Sequence, residues 1–337
     1  MCSAKHVIII AEAGVNHNGS ADNALRLIDA AAEAGADYVK FQTFKAEKLA
    51  NATAAQADYQ KQNTGCSESQ LDMLRRLELS DDTFCELQAY CASKGIGFLS
   101  TPFDIDSVRF LAGLGMDYMK IPSGEISNLP YLRAIAATGI PVIMSTGMCT
   151  NADIDAALRA LHAGGLSTGQ ITLLHCNTQY PTPMRDVNLR AMATLQSTFG
   201  TEVGYSDHTL GIEVPIAAVA LGATVIEKHF TLDRNMPGPD HKASLEPAEL
   251  KALVSAIRNI EQALGSPDKQ VTDSEAANIA IARKSIVAAR HIGKGEVLSD
   301  DNLCAKRPGN GISPMRWDEI IGRKAIRDFE KDEIIEI

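Results

Sequence analysis

His208, in Tyr205-Ser206-Asp207-His208-Thr209, and His229, in Val225-Ile226-Glu227-Lys228-His229-Phe230-Thr231, each sit late in a run that reads as a β-strand. On neighbouring strands, roughly 4.8 Å apart, two neutral imidazoles can share one divalent metal. Two protein ligands leave coordination positions open, and such an ion can polarise a carbonyl oxygen. Lys40, Lys120, Ser123, Ser145 and Ser206 stand at other apparent strand ends. Compact ammonium charges and hydroxyls of this kind suit a small phosphorylated acid. A metal beside an anion pocket points to an enzyme.

Other residues compete for roles around that pair. A lysine inside a barrel needs an anion or an acidic partner, for which Glu12 and Glu125 are the candidates. The same two carboxylates are placed for proton transfer. Two roles stay open for Glu227: orienting a ligand or metal-bound water, or a buried salt bridge with Lys228 or another barrel lysine. Ser123-Gly124 and Ser145-Thr146-Gly147 let backbone N–H groups approach an anion. Asp240, in Gly238-Pro239-Asp240-His241, either accepts hydroxyl hydrogen bonds from a polyol or caps its loop. His17, His175 and His241 rank behind the pair, and His6, His162 and His291 read as surface residues.

Positioning these groups takes a repeated scaffold. Strand candidates are Val7 to Ala13, Tyr38 to Thr43, Gly97 to Pro102, Tyr118 to Ser123, Pro141 to Thr146, Ile171 to Cys176, Glu202 to Ser206 and Thr224 to His229. Amphipathic stretches such as Asp22 to Glu33, Asp82 to Lys94, Asp153 to His162 and Pro247 to Leu264 follow them. The alternation predicts an α/β fold, a parallel (β/α)8 TIM barrel with its site at the C-terminal strand ends. Period-2 alternation puts Glu12, Lys40 with Gln42, Lys120, and Glu227 with His229 on inward faces, late in their strands. Lys45 to Ser80 reads as one long irregular loop, either over the barrel mouth or a plain surface excursion. We expect the barrel to occupy 1–265, a linker 266–280, and a small β-rich module 281–337 whose small core leans on a neighbour.

Composition narrows the class further. With 45% hydrophobic and 22% charged residues the chain is ordinary globular material, and a net charge of -10 without a basic run excludes a nucleic-acid footprint. The 7 cysteines contain no C-x-x-C, which argues for reduced cytoplasmic thiols rather than a disulfide framework or thiolate zinc site. The run Val7 to Ile10 is too short for an export signal, and no stretch reaches the ~18 apolar residues of a membrane span.

A family resemblance covers nearly the whole chain. It rests on Ala11-Glu12-Ala13-Gly14-Val15-Asn16-His17-Asn18-Gly19, Lys40-Phe41-Gln42-Thr43-Phe44-Lys45-Ala46, Ser100-Thr101-Pro102-Phe103-Asp104, Pro122-Ser123-Gly124-Glu125, Ser145-Thr146-Gly147-Met148, the two histidine motifs and Gly238-Pro239-Asp240. With these the chain resembles the bacterial sialic acid synthases, which condense phosphoenolpyruvate with an N-acetylated amino sugar. Lys306-Arg307-Pro308-Gly309-Asn310-Gly311-Ile312-Ser313-Pro314 resembles that family's antifreeze-like (SAF, β-clip) domain.

The resemblance implies a metal-dependent synthase in which His208 and His229 hold Mn2+, with Mg2+ or Co2+ as alternatives. It implies that Lys40, Thr101, Lys120, Ser123, Ser145 and Ser206 surround phosphoenolpyruvate. Glu12, Gln42, Tyr180 and Asp240 would face the sugar, with Glu125 near the reacting centre. It also implies a domain-swapped homodimer in which Arg307 contacts the sugar's N-acetyl group in the partner's barrel. Some relatives have Thr-Asn where this chain has Asn177-Thr178, which leaves open the residue that meets the anion. N-acetylmannosamine is the expected sugar, on Asn177-Thr178-Gln179-Tyr180-Pro181 and Gln60 to Gly65. The alternatives are an N,N'-diacetyllegionaminate synthase and, in another class, a non-catalytic sugar-binding or structural protein.

Overall fold

The computed structural model describes residues 6–51, 53, 54, 56 and 69–337. It divides into two units, Met1–Gly265 and Ser266–Ile337. In the first, eight strands form one parallel sheet: β1 (Ile8–Gly14), β2 (Tyr38–Thr43), β3 (Gly97–Pro102), β4 (Met119–Ile121), β5 (Val142–Ser145), β6 (Ile171–Cys176), β7 (Glu202–Asp207) and β8 (Val225–His229). Their order, β3-β2-β1-β8-β7-β6-β5-β4, curls into a nearly closed TIM barrel. Helices cover its outside with their apolar stripes. The helix Ala21–Ala34, capped by Ser20, buries Leu27 and Ile28 beside Pro247–Leu264, which buries Leu250, Leu253 and Ile257. Each such aliphatic side chain removed from water contributes about 1.5–3 kcal/mol.

Three expectations need correction. β4 is shorter than Tyr118 to Ser123, because Pro122 has no N–H for the ladder and Ser123–Glu125 turns into a 3-10 helix. The Lys45 to Ser80 stretch is not wholly irregular, since it holds the helices Ala46–Leu49 and Gln70–Leu77. Leu71, Leu74 and Leu77 recur at helical spacing there and pack with Val15, Phe44 and Ala46 into a separate apolar cluster. Gln60 to Gly65 lies outside the described residues. Part of the stretch read as a linker is the helix Asp273–Ala282, begun by a Thr272/Glu275 capping box.

The second unit is built on a short antiparallel pair, β9 (Ser285–Ala288) with β10 (Leu303–Lys306). Isolated bridges such as Val287 with Ile334 and Ile292 with Phe329 add its tail to the pair. Ile286, Ile292, Leu298, Phe329 and Ile335 form its core. Among the described residues, no helix is long and apolar enough to cross a membrane.

The barrel has one seam. β3 and β4 lie side by side at the two ends of the strand order without ladder pairing. Tyr131 closes this gap from the helix Leu129–Ala136: its buried hydroxyl donates to the Pro102 carbonyl at 2.7 Å and approaches the Lys120 carbonyl at 3.4 Å. Tyr131→Phe should therefore lower stability by about 1–2 kcal/mol, because the buried Pro102 carbonyl at the seam loses its donor. A denaturant titration with hydrogen exchange at Met119–Ile121 checks this. Unchanged protection would mean that packing alone holds the seam.

Candidate active site

Parallel strands deliver their last inward side chains to one end of the barrel. Register sets Glu12 of β1 beside Lys40 of β2 and His229 of β8, and Ser206 of β7 beside Glu227 of β8. The cavity they line measures about 200 Å³. That is smaller than the roughly 300–1,000 Å³ of sites for drug-sized ligands and suits a small polar one.

Its floor is a buried charge cluster. Lys40 Nζ lies 2.5 Å from Glu12 and 3.6 Å from Glu227, and donates to Thr101 Oγ1 at 3.0 Å. Lys120 Nζ donates to Ser145 Oγ at 2.6 Å and lies 3.9 Å from Glu227. Ser206 Oγ donates to Glu227 at 2.9 Å, and Gln42 Nε2 to Glu12 at 3.2 Å. The two carboxylates diverge. Burial works to raise Glu227, but Lys120 and Lys40 outweigh it and hold the group down to about 2. Burial pushes Glu12 up to about 7 against the pull of Lys40, with the Glu227 charge adding to the rise. Burial likewise lowers Lys120, whereas for Lys40 the neighbouring carboxylates outweigh burial and raise it.

Beside the floor, the His208 and His229 ring centroids are 5.4 Å apart. His208 Nδ1 faces the Asn177 carbonyl at 2.5 Å and must donate to it, which leaves Nε2 with its lone pair. His229 Nδ1 is buried without a hydrogen-bond partner. Burial lowers both imidazoles, so both are neutral near neutral pH. Convergent neutral rings with an orphaned nitrogen fit a divalent ion with a largely open shell. Among the described residues no cluster of three or more His, Cys, Asp or Glu completes a protein-only site. The Tyr180 ring packs 4.0 Å from His208.

Of the expected site residues, the cavity gathers Glu12, Lys40, Gln42, Thr101, Lys120, Ser123, Ser145, Thr178, Tyr180, Ser206, His208 and His229. Four do not line it. Glu125 follows the turn after β4 and accepts from Asn128 Nδ2 at 2.6 Å. It therefore partners neither lysine. Asn177 spends its side-chain oxygen on the Gln179 amide, so Thr178 is the one of the two that meets the cavity. Asp240 is buried in the loop after β8, its carboxyl raised to about 6 by burial. Arg307 is exposed in the second unit, donating to the Ala282 carbonyl at 3.0 Å.

The open question at Glu227 resolves toward the barrel lysines, because Lys228 points outward and pairs with Asp207. His17, His175 and His241 bond instead to the Gly19 amide, the Val187 carbonyl and Thr231. Cys176, Phe103 and Met148 are additional lining residues. Cys176 ends β6 opposite Ser206, so its place follows from register once the strands are aligned. Phe103 and Met148 lie just past strand ends, where alternation carries no signal.

Comparison with known proteins accords with this geometry. Residues 27–269 match the NeuB family and residues 283–336 the SAF domain. The chain is 53% identical to an N,N'-diacetyllegionaminic acid synthase of Campylobacter jejuni, covering 98% of this chain and 99% of that one. It is 49% identical to the corresponding synthase of Legionella pneumophila, covering 94% and 89%. A solved N-acetylneuraminic acid (sialic acid) synthetase from Leptospira borgpetersenii, in complex with citrate, superposes with a TM-score of 0.71 at 36% identity over 81% of this chain and 90% of that one. Parallel strand ends, a lysine-rich floor and these relatives lead to one assignment: the chain belongs to the NeuB family, as a nonulosonic acid synthase with a C-terminal SAF domain.

Proposed function

We propose that the chain condenses phosphoenolpyruvate with 2,4-diacetamido-2,4,6-trideoxymannose to give N,N'-diacetyllegionaminate. The observation that carries the reaction class is the floor, where Lys40 and Lys120 share the buried Glu227 carboxylate beside a converging imidazole pair. The choice of sugar rests on the Campylobacter and Legionella relatives, which share more residues with this chain than the solved N-acetylneuraminic acid synthetase does. Phe103 and Met148 add apolar surface suited to the methyl group of a 6-deoxy sugar. N-acetylmannosamine remains the second reading, favoured by the Asn177 to Pro181 motif.

Lys40, Lys120, Thr101, Ser123 and Ser145 hold the phosphate and carboxylate of phosphoenolpyruvate, and fix its C3 toward the sugar aldehyde. His208 and His229 hold the divalent ion, Mn2+ by resemblance, which supplies Lewis-acid polarisation of the aldehyde oxygen when bound. C3 attacks the aldehyde carbon, water adds at C2, and phosphate leaves with C–O cleavage. Orienting both reactants is worth on the order of 7–11 kcal/mol. Glu12, raised by burial, exchanges a proton in this sequence. Arg307 completes the sugar site of a partner copy in a swapped homodimer; its exposure on the loop after β10 supports that role.

Steady-state assays with phosphoenolpyruvate should favour the diacetamido sugar over N-acetylmannosamine. The margin should be modest, roughly 10–100-fold in kcat/KM, because apolar pockets reject an added hydroxyl weakly. Equal or reversed preference overturns the choice of sugar. Chelation should abolish phosphate release and added Mn2+ restore it, whereas His208→Ala should not respond to added metal. Full activity in chelator removes the metal from the mechanism. Lys120→Met should reduce kcat/KM for phosphoenolpyruvate by roughly 30-fold to a few thousandfold, since a buried charge contact is worth about 2–5 kcal/mol. A small change would move the anion elsewhere.

A further inference from the structure

Lys228 is a buried charge that the proposed chemistry leaves without a task. Alternation along β8 turns Glu227 and His229 into the barrel and Lys228 outward, between sheet and helices. There its ammonium lies 2.5 Å from Asp207 Oδ2, the two side chains being 1% and 0% exposed. The same ammonium donates to the Thr209 carbonyl. Thr209 returns two bonds to Asp207, from its amide at 3.0 Å and its hydroxyl at 3.1 Å. One cation, attached to the residue just before His229, thus holds the residues on both sides of His208.

We infer that Lys228 is a positioning residue: through Asp207 and Thr209 it fixes the directions of both imidazoles from behind the sheet. The inference rests on the metal reading of His208 and His229. Stability alone is a poor reason for the pair, because a buried ion pair is often no better than apolar side chains of the same volume. Holding two ligands to within about 0.5 Å of a working geometry is a better one. Asp207 and Lys228 are also direct register partners, so the clamp spans β7 and β8 at the point where the ligands leave the ladder.

The test compares the full-length parent with a Lys228→Met/Asp207→Asn double variant, which removes both charges together and leaves neither buried alone. Mn2+ affinity is read by electron paramagnetic resonance without substrate, alongside thermal melting and phosphoenolpyruvate calorimetry. The clamp predicts a Mn2+ Kd weakened by about 10–100-fold, as for other groups that orient metal ligands, with phosphoenolpyruvate binding retained. Arg258→Met, which breaks the ion pair with Asp37 elsewhere in the barrel, should lower Tm without moving the Mn2+ Kd. A double variant with the parent's Mn2+ Kd overturns the inference. Should the double variant fail to fold, Thr209→Val decides: it keeps the ion pair, should loosen Mn2+ to a smaller degree, and overturns the clamp if its Kd matches the parent's. A parent that binds no Mn2+ overturns the metal reading itself, and the clamp with it.

Discussion

The site depends on Glu227 lying between two lysines. Lys40 and Lys120 are both buried, and a lone ammonium in such surroundings would lose its proton or destabilise the fold. Glu227 lies within 4 Å of each, at 3.6 Å from Lys40 and 3.9 Å from Lys120. Ser206 satisfies one of its oxygens. Glu12, although 2.5 Å from Lys40, is the less firmly charged of the two, because burial pushes its carboxyl up to about 7 and the Glu227 charge adds to the rise. The asymmetry decides the sign of the floor. With Glu227 ionised, the two lysines are balanced while Glu12 keeps its charge, and the floor turns net positive once Glu12, pushed up to about 7 by burial, takes a proton.

That arrangement follows from parallel register. In an antiparallel sheet the last inward residues of adjacent strands would lie at opposite ends, whereas here they meet. The Glu12–Lys40 and Glu12–His229 register pairs set one inward layer, and the Ser206–Glu227 pair, level with Ile10, sets the layer beneath it at the same end of the barrel. The one break in the ladder, between β3 and β4, adjoins the strand that carries Lys120. The Tyr131 hydroxyl donates to the Pro102 carbonyl of β3 and lies 3.4 Å from the Lys120 carbonyl of β4, so the barrel is closed at the strand that carries that lysine.

Alternation was enough to read most of this floor in advance. Lys40 with Gln42, Lys120, and Glu227 with His229 could be assigned inward because each sits late in a strand whose period is two. Residues beyond the strand ends could not be placed that way. Glu125 reads as a mouth carboxylate until Pro122 ends β4 and Asn128 captures its side chain. Asn177 and Thr178 were indistinguishable until the turn at Gln179 took up the asparagine oxygen. The helix Gln70–Leu77 was missed because its leucines cover a local cluster rather than the barrel, so its apolar spacing lacked a predicted strand to pack on. Lys228 shows a middle case. Its outward direction follows from alternation, but its partner needs the β7–β8 register, which the sequence does not display.

The division between floor and rim also explains why the reaction class is easier to read than the sugar. An anion with two acidic groups is recognised by charge, and charge in a barrel must come from a few strand-end residues that leave a visible pattern. A second acetamido group, or a methyl in place of a hydroxymethyl, is recognised by shape. Such contacts come from loops and are worth only a few kcal/mol each. Among the described residues, Phe103, Met148, Thr178 and Tyr180 line the cavity past strand ends, and the proposed reading gives such contacts to them. On that reading, changing one of these would alter the fit to the sugar without disturbing the charge pairing below, so synthases for different nine-carbon acids could keep the same floor.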